Sequence, residues 1–258
     1  MSRLIDELNR VAKATPQPMG FRAARPVSSE PRMLLIASLA PSRDTDHLTD
    51  GADAVLLRLA KSDLAAKTLQ RIAASLPEIP WGGWLEDIDA KKMETLIEAG
   101  GDFVVFPASS RVSATPQDDK VGKILQVESS LGEGLLRAVN DLPVDAVLTT
   151  EAYEADGSMA WHHLMHFQRL ANLLAKPLLV PAPLNVTASE LKVLWEAGAD
   201  GVVVEVGAGQ PAGRLRELRR SIGELTFRPT RKRGKAEALL PHIGTVGVME
   251  TETEEEEE

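Results

Sequence analysis

Apolar positions along the chain follow two different periods. Leu4, Ile5, Leu8 and Val11 fall at helical spacing and predict an amphipathic first helix of about three turns. Residues 16–32 are rich in Pro, Arg and Ser and read as an extended connection. Beyond them, short β-branched or leucine-rich runs alternate with longer helical patterns. Eight runs read as strands, at 33–38, 54–59, 81–86, 103–107, 123–128, 146–150, 178–182 and 201–206. Helical patterns stand at 62–75, 89–99, 132–140, 159–174, 187–197 and 212–225, while the connections after the first and fourth strands are less regular. Such alternation calls for parallel strands with crossover helices, and a count of eight favours a closed barrel over an open doubly wound sheet.

The even-numbered strands open on one repeated phrase. It reads Ala52-Asp53-Ala54-Val55, Gly101-Asp102-Phe103-Val104, Val144-Asp145-Ala146-Val147 and Ala199-Asp200-Gly201-Val202. The aspartates are 49, 43 and 55 residues apart, about the length of two strand–helix units. Two of the phrases share a run-up, Leu96-Ile97-Glu98-Ala99-Gly100 and Leu194-Trp195-Glu196-Ala197-Gly198, in which the glycine ends a helix. Each aspartate then sits at the N-terminal end of its strand and reads as a turn or cap residue. From Met33 to Leu225 the chain resembles the (βα)8, or TIM-barrel, superfamily. The phrase Glu196-Ala197-Gly198-Ala199-Asp200-Gly201-Val202-Val203 looks like a late unit of phosphate-binding and flavin-binding barrels. The resemblance implies an α/β closed barrel over 33–226, preceded by a helix and connection at 1–32. A basic, then acidic and partly disordered C-terminal tail at 227–258 follows it. A fold shared by so many chemistries leaves function to be argued from a site.

The repeats also supply a register. Val55, Val104, Val147 and Val202, then Leu57, Phe106, Thr149 and Val204, suit the outer surface beneath helices. The opposite parity gives Ala54, Phe103, Ala146 and Gly201, then Leu56, Val105, Leu148 and Val203, alternating small and large as a filled interior requires. It ends on Arg58, Pro107, Thr150 and Glu205. The third strand adds Trp84 and Glu86, the fifth Ile124, Gln126 and Glu128, and the first Ser38. The expected mouth gathers Arg58, Glu86, Gln126, Glu128, Thr150 and Glu205, with Lys61, Ser109, Arg111 and Glu151 on adjoining loops. Charges converging on the C-terminal ends of barrel strands are the usual mark of an active site. The plain counter-reading is ion pairing that merely closes the barrel, Arg58 with Glu205 or Lys61 with Glu86.

Candidate chemistry follows from these groups. Glu86 and Glu128 could act as acid and base, or hold Mg²⁺ or a similar hard cation, with Lys61 as a further catalytic candidate. No Asp-x-Asp or His-x-His pair accompanies the carboxylates, and Pro107 stands where a third ligand would be useful. An imine-forming lysine is absent from the inward positions of strands four to seven. Arg58 and Arg214 could hold an anion, helped by amides of Gly207 and Gly209 after the eighth strand. The seventh connection, Val180-Pro181-Ala182-Pro183-Leu184-Asn185, lacks the matching glycines. Thr187-Ala188-Ser189-Glu190 has capping-box spacing. His162, His163 and His166 invite a metal, but no acidic third ligand is near in sequence, so they read as helix surface. Tyr153, the only tyrosine, lies in the connection after the sixth strand, which together with 108–122 is long enough for a lid.

Composition narrows the classes. The 258 residues carry 29 basic and 38 acidic side chains, a net charge of −9, 43% hydrophobic residues and no cysteine. A disulfide scaffold, thiolate metal sites and a cysteine nucleophile are excluded. Seven glutamates fall in residues 250–258, and without them the balance is 29 basic against 31 acidic. The basic run 228–235 has no interleaved aromatics, so nucleic-acid binding is not expected. No run approaches the roughly 18 apolar residues of a membrane span or resembles a secretory leader, so a cytoplasmic location is expected. The expectation is an enzyme of lyase or isomerase type acting on a small anionic metabolite, phosphorylated or carboxylated. A non-catalytic barrel serving as a binding or assembly module is the alternative, a flavin enzyme the third reading, and self-association is compatible with all of them.

Overall fold

The computed structural model describes residues 2–13, 32–40, 48–60, 66–76, 78–86, 89–115, 120–151, 153, 157–207 and 213–225. Lys61, Gly209, the connection over 16–31 and the tail from 227 onward lie outside the described residues. A first helix, α1 (Arg3–Lys13), precedes eight strands: β1 (Leu34–Leu39), β2 (Ala54–Arg58), β3 (Trp81–Trp84), β4 (Phe103–Pro107), β5 (Gly122–Glu128), β6 (Ala146–Thr150), β7 (Leu178–Ala182) and β8 (Gly201–Glu205). Each is parallel to the next, and β8 returns to β1 to close a barrel. Around it run α2 (Ala66–Ala74), α3 (Ala90–Glu98), α4 (Glu133–Ala138), α5 (Trp161–Leu173), α6 (Ala188–Ala197) and α7 (Arg214–Gly223). The connection after β4 holds a 3-10 turn at Val112–Ala114, matching the irregularity expected there. No helix among the described residues is long and apolar enough to cross a membrane.

The period-two reading holds in space. Val55, Leu57, Val104, Phe106, Val147, Val202 and Val204 join the buried faces of the surrounding helices, among them Leu69, Met93, Phe167, Leu191 and Leu218, in one core. Leu34, Ile36, Ala54, Leu56, Phe103, Val105, Ile124, Ala146, Leu148, Leu179 and Val203 fill the barrel as a second core. Small residues are needed beside large ones here. A Cβ on Gly82 would come within 2.3 Å of the Phe103 carbonyl oxygen and 2.5 Å of its ring.

Leu4, Ile5, Leu8 and Val11 belong to that interior core, so α1 plugs the N-terminal end of the barrel with its apolar stripe. Leu4 and Leu8 are fully buried, each worth roughly 1.5–3 kcal/mol of transfer free energy.

The four repeated aspartates fix this end of the barrel. Their backbone N–H groups donate to the Leu35, Trp81, Lys123 and Leu178 carbonyls, the same bond in each quarter. The carboxylates of Asp53, Asp145 and Asp200 also accept from the Leu35, Lys123 and Leu178 N–H groups at 2.8, 2.8 and 2.9 Å. Asp102 departs from the pattern. It accepts instead from the Ser2 hydroxyl at 2.7 Å and from the Arg3 and Leu4 N–H groups at 2.8 and 3.0 Å, capping α1. At the helix ends, Gly198 follows α6 at φ +109°, a left-handed position that suits glycine.

Two carboxyls near the plug carry unusual affinity for protons. Burial raises Asp53, against the Arg219 guanidinium and the Leu35 N–H, which both pull it down. Burial and then the Asp53 charge raise Glu7, against the neighbouring arginines. Both groups bind protons more tightly in the folded chain than in the unfolded one. Stability from the pair is therefore present below the ordinary carboxylate range and is lost as pH rises through the raised values.

The plug is open to direct measurement. Asp102→Ala lowers the unfolding free energy by about 1–2 kcal/mol, as expected for loss of a helix cap, and Leu8→Ala by about 2–5 kcal/mol, both read from urea denaturation. In the same assay, the stability of the Glu7→Gln protein relative to the wild type is more favourable at neutral than at mildly acidic pH.

Candidate functional site

The strand ends carry the polar residues. Arg58 closes β2 and Glu205 closes β8, the two neighbours of β1, where Ser38 stands in register with Glu205. An Arg58 Nη1–H donates to Glu205 Oε1 at 2.6 Å, but the side chains are 48% and 72% exposed. The pair is hydrated and does not form a dry plug, so it contributes at most about 1 kcal/mol. Trp84 Nε1–H donates to Gln126 Oε1 at 2.9 Å, reaching from β3 past β4 to β5. Both residues are half-buried, forming a polar floor beneath the rim.

On the far side, Glu128 and Thr150 stand in register at the ends of β5 and β6, both exposed. The Ser130 hydroxyl donates to Glu128 Oε2 at 3.3 Å, and the Thr150 hydroxyl to the Val127 carbonyl at 3.3 Å. Glu86 stands two residues past the end of its strand. β3 ends at Trp84, Leu85 turns into the outer core, and Glu86 follows as an exposed loop residue. Ser109 and Arg111 lie on the connection after β4, Arg111 exposed.

Beyond β8, Gly207 is half-buried with open space where a Cβ would stand. Arg214 faces a different task from the one its position suggested. Its Nε–H and Nη2–H donate to the Leu184 and Val186 carbonyls at 2.9 and 2.7 Å, and its Nη1–H to Glu217 at 3.0 Å. The guanidinium thus ties the connection after β7 to α7. The capping box at Thr187 and Glu190 forms as its spacing predicts, with Thr187 N–H donating to Glu190 Oε2 at 2.7 Å and Glu190 N–H to Thr187 Oγ1 at 3.2 Å.

A second constellation escaped the sequence reading. Glu151 continues the outward parity of Val147 and Thr149 one step past β6, so its side chain turns under α5, where it is only 8% exposed. His166 Nδ1 lies 3.4 Å from Glu151 Oε1. His163 is fully buried, and its Nδ1 accepts from the Ala160 N–H at 2.8 Å, closing the first turn of α5. The Tyr153 hydroxyl donates to the Pro181 carbonyl at 2.5 Å, and burial, then the charges of Glu151 and Glu190, push its pKa up. The histidines are therefore not simply helix surface, and the acidic neighbour that the sequence seemed to lack is Glu151. Carrying the period-two parity beyond the strand end would have found it. Glu151, His162 and His163 are, among the described residues, the group close enough to surround a metal ion, and neither Glu86 nor Glu128 belongs to it.

No protein-family model matches the chain, and no curated protein matches it either. Solved structures do. A mutant tryptophan synthase α subunit from the hyperthermophile Pyrococcus furiosus superposes with a TM-score of 0.55 at 12% identity, covering 74% of this chain and 97% of that one. A chain of Mycobacterium tuberculosis tryptophan synthase, in its open form with BRD0059 bound, gives 0.57 at 14% identity, covering 86% and 97%. Identities this low carry the fold alone. Together with the closed ring of eight parallel strands, they show that this chain has the (βα)8 TIM-barrel fold.

Proposed function

We propose that the chain is an enzyme whose site is the C-terminal mouth of the barrel, acting on a small phosphorylated or carboxylated metabolite by lyase or isomerase chemistry. The observation that carries this reading is the open rim: Arg58, Glu205, Glu128 and Thr150 converge there exposed, above the Trp84–Gln126 hydrogen bond. Arg58 binds the anion, with Glu205 holding the guanidinium until a ligand competes for it. Glu128 serves as general acid or base, the Ser130 hydroxyl at 3.3 Å orienting its carboxylate. Thr150 and Gln126 position the substrate, and Glu86 and Gly207 border the site. Location supports the assignment, because barrel enzymes keep their chemistry at this end. The similar structures are named as tryptophan synthase subunits, which is in keeping with an enzyme.

One observation favours the non-catalytic alternative. Arg58 is already paired, and each nitrogen of Arg214 is engaged within the protein. In that reading the mouth is a scaffold and the outer helices bind a partner.

Two measurements separate the readings. Because the Arg58–Glu205 pair is hydrated, Arg58→Ala changes unfolding free energy by less than about 1 kcal/mol. In a thermal-shift screen with inorganic phosphate and with phosphorylated and carboxylated metabolites, the wild type melts at higher temperature with at least one anion. Arg58→Ala loses that shift, whereas Glu128→Gln keeps it and loses turnover of the stabilising compound. No anion stabilising the wild type, or equal stabilisation of the Arg58→Ala protein, would sink the assignment.

A further inference from the structure

The constellation beneath α5 is separate from the rim, because Glu151 faces outward while its neighbour Thr150 lies at the mouth. One ligand atom from each of Glu151, His162 and His163 lies within 4.8 Å of the other two. Tetrahedral bonds of about 2.1 Å hold ligand atoms about 3.4 Å apart. Loading therefore closes the trio by little more than an ångström, within reach of a side-chain adjustment at His162, which is exposed. The rings of His162 and His163 lie against each other with centroids 3.9 Å apart, inclined at 44°, so both imidazoles stand on the same side of the first turn of α5.

A second observation points to a cation. The Glu151 side chain is more than nine-tenths buried, and among the described residues its Oε2 has no hydrogen-bond partner. Among the described residues its Oε1 meets only the long 3.4 Å contact with His166, and no lysine or arginine forms an ion pair with it. A buried carboxylate oxygen without a donor is costly, and an ion between it and the imidazoles would satisfy it.

We propose that Glu151, His162 and His163 form a binding site for a divalent first-row transition ion of the Zn²⁺ or Co²⁺ kind. Two imidazoles and one carboxylate suit such ions, whereas Mg²⁺ and Ca²⁺ prefer oxygen throughout. His163 ligates through Nε2. Its Nδ1 accepts from the Ala160 N–H, so in the neutral ring the proton sits on Nε2. On loading, that proton moves to Nδ1 and the Ala160 N–H is released, with no net loss of a proton from the ring. The ion thus replaces a hydrogen bond at the first turn of α5 and ties that turn to the end of β6. Three protein ligands leave a coordination position for water or another small ligand.

The test is calorimetric titration of the full-length protein with Zn²⁺, and with Co²⁺ followed by its visible absorption. The wild type binds a single ion per chain more tightly than any ion held by the acidic C-terminal run, which every variant retains. Binding raises the melting temperature and moves the Ala160 amide resonance. Glu151→Gln and His162→Gln each weaken this site by about 100-fold or more, the upper end of what loss of an outer partner alone does, while His166→Gln changes affinity only a few-fold. His162 is exposed, so His162→Gln decides the matter even if Glu151→Gln fails to fold. Equal affinity in the wild type and His162→Gln overturns the proposal, as does binding of Mg²⁺ as tight as that of Zn²⁺. Its outcome is independent of the rim assignment, since none of these variants touches Arg58 or Glu128.

Discussion

A ring of parallel strands leaves no edge to protect, but it encloses a volume that must be filled with side chains and sealed at one end. Everything else in this molecule is arranged around that requirement. The interior is filled by alternating bulk, as where Phe103 lies against the bare backbone of Gly82. It is sealed below by α1, whose Leu4, Ile5, Leu8 and Val11 continue the interior packing beyond the ends of the strands. With the bottom closed by apolar groups, polar side chains of inward parity have one place left to go, and that is the C-terminal rim. The position of the candidate site is thus a by-product of how the barrel is filled.

At the rim, hydration sets the energetics. Arg58 and Glu205 meet over β1 without being buried, so neither bears the desolvation cost of an interior ion pair. Such a contact is easily exchanged for a ligand with a more favourable geometry. Beneath α5 the balance is reversed. Glu151 is buried and incompletely satisfied, and water does not offset its charge as it does at the rim. Two carboxylate-containing sites stand at the same end of one barrel under opposite dielectric conditions.

Much of this could be read from the chain because a strand imposes a strict alternation and the quarter repeat fixes its phase. Arg58, Gln126, Thr150 and Glu205 follow from that parity. The count does not show where a strand stops, because the stopping point is decided by tertiary contacts. Glu86 is on the inward count, with Leu85 in the outer core as the alternation requires, but β3 stops two residues before it and leaves it exposed. Glu151 was legible by the same count continued outward, yet its meeting with His162 and His163 depends on how α5 docks, which no local pattern encodes. Arg214 looked available because its carbonyl partners, Leu184 and Val186, belong to a connection 28 to 30 residues earlier. The amphipathic first helix was plain from spacing, whereas its seat under the barrel rests on Asp102 breaking a pattern that the other three aspartates keep.

That exception bears on the order of assembly. The groups capped by Asp102 are separated from it by 98 to 100 residues, so α1, made before any barrel strand, finds its acceptor only when β4 has emerged. Until then its apolar stripe has no interior to enter. A nascent chain of this protein carries an unburied amphipathic segment until β4 is made, and docking of α1 is a late, long-range event. The segment that seals the finished barrel is also the part of the unfinished one most exposed to chaperones and to misassociation.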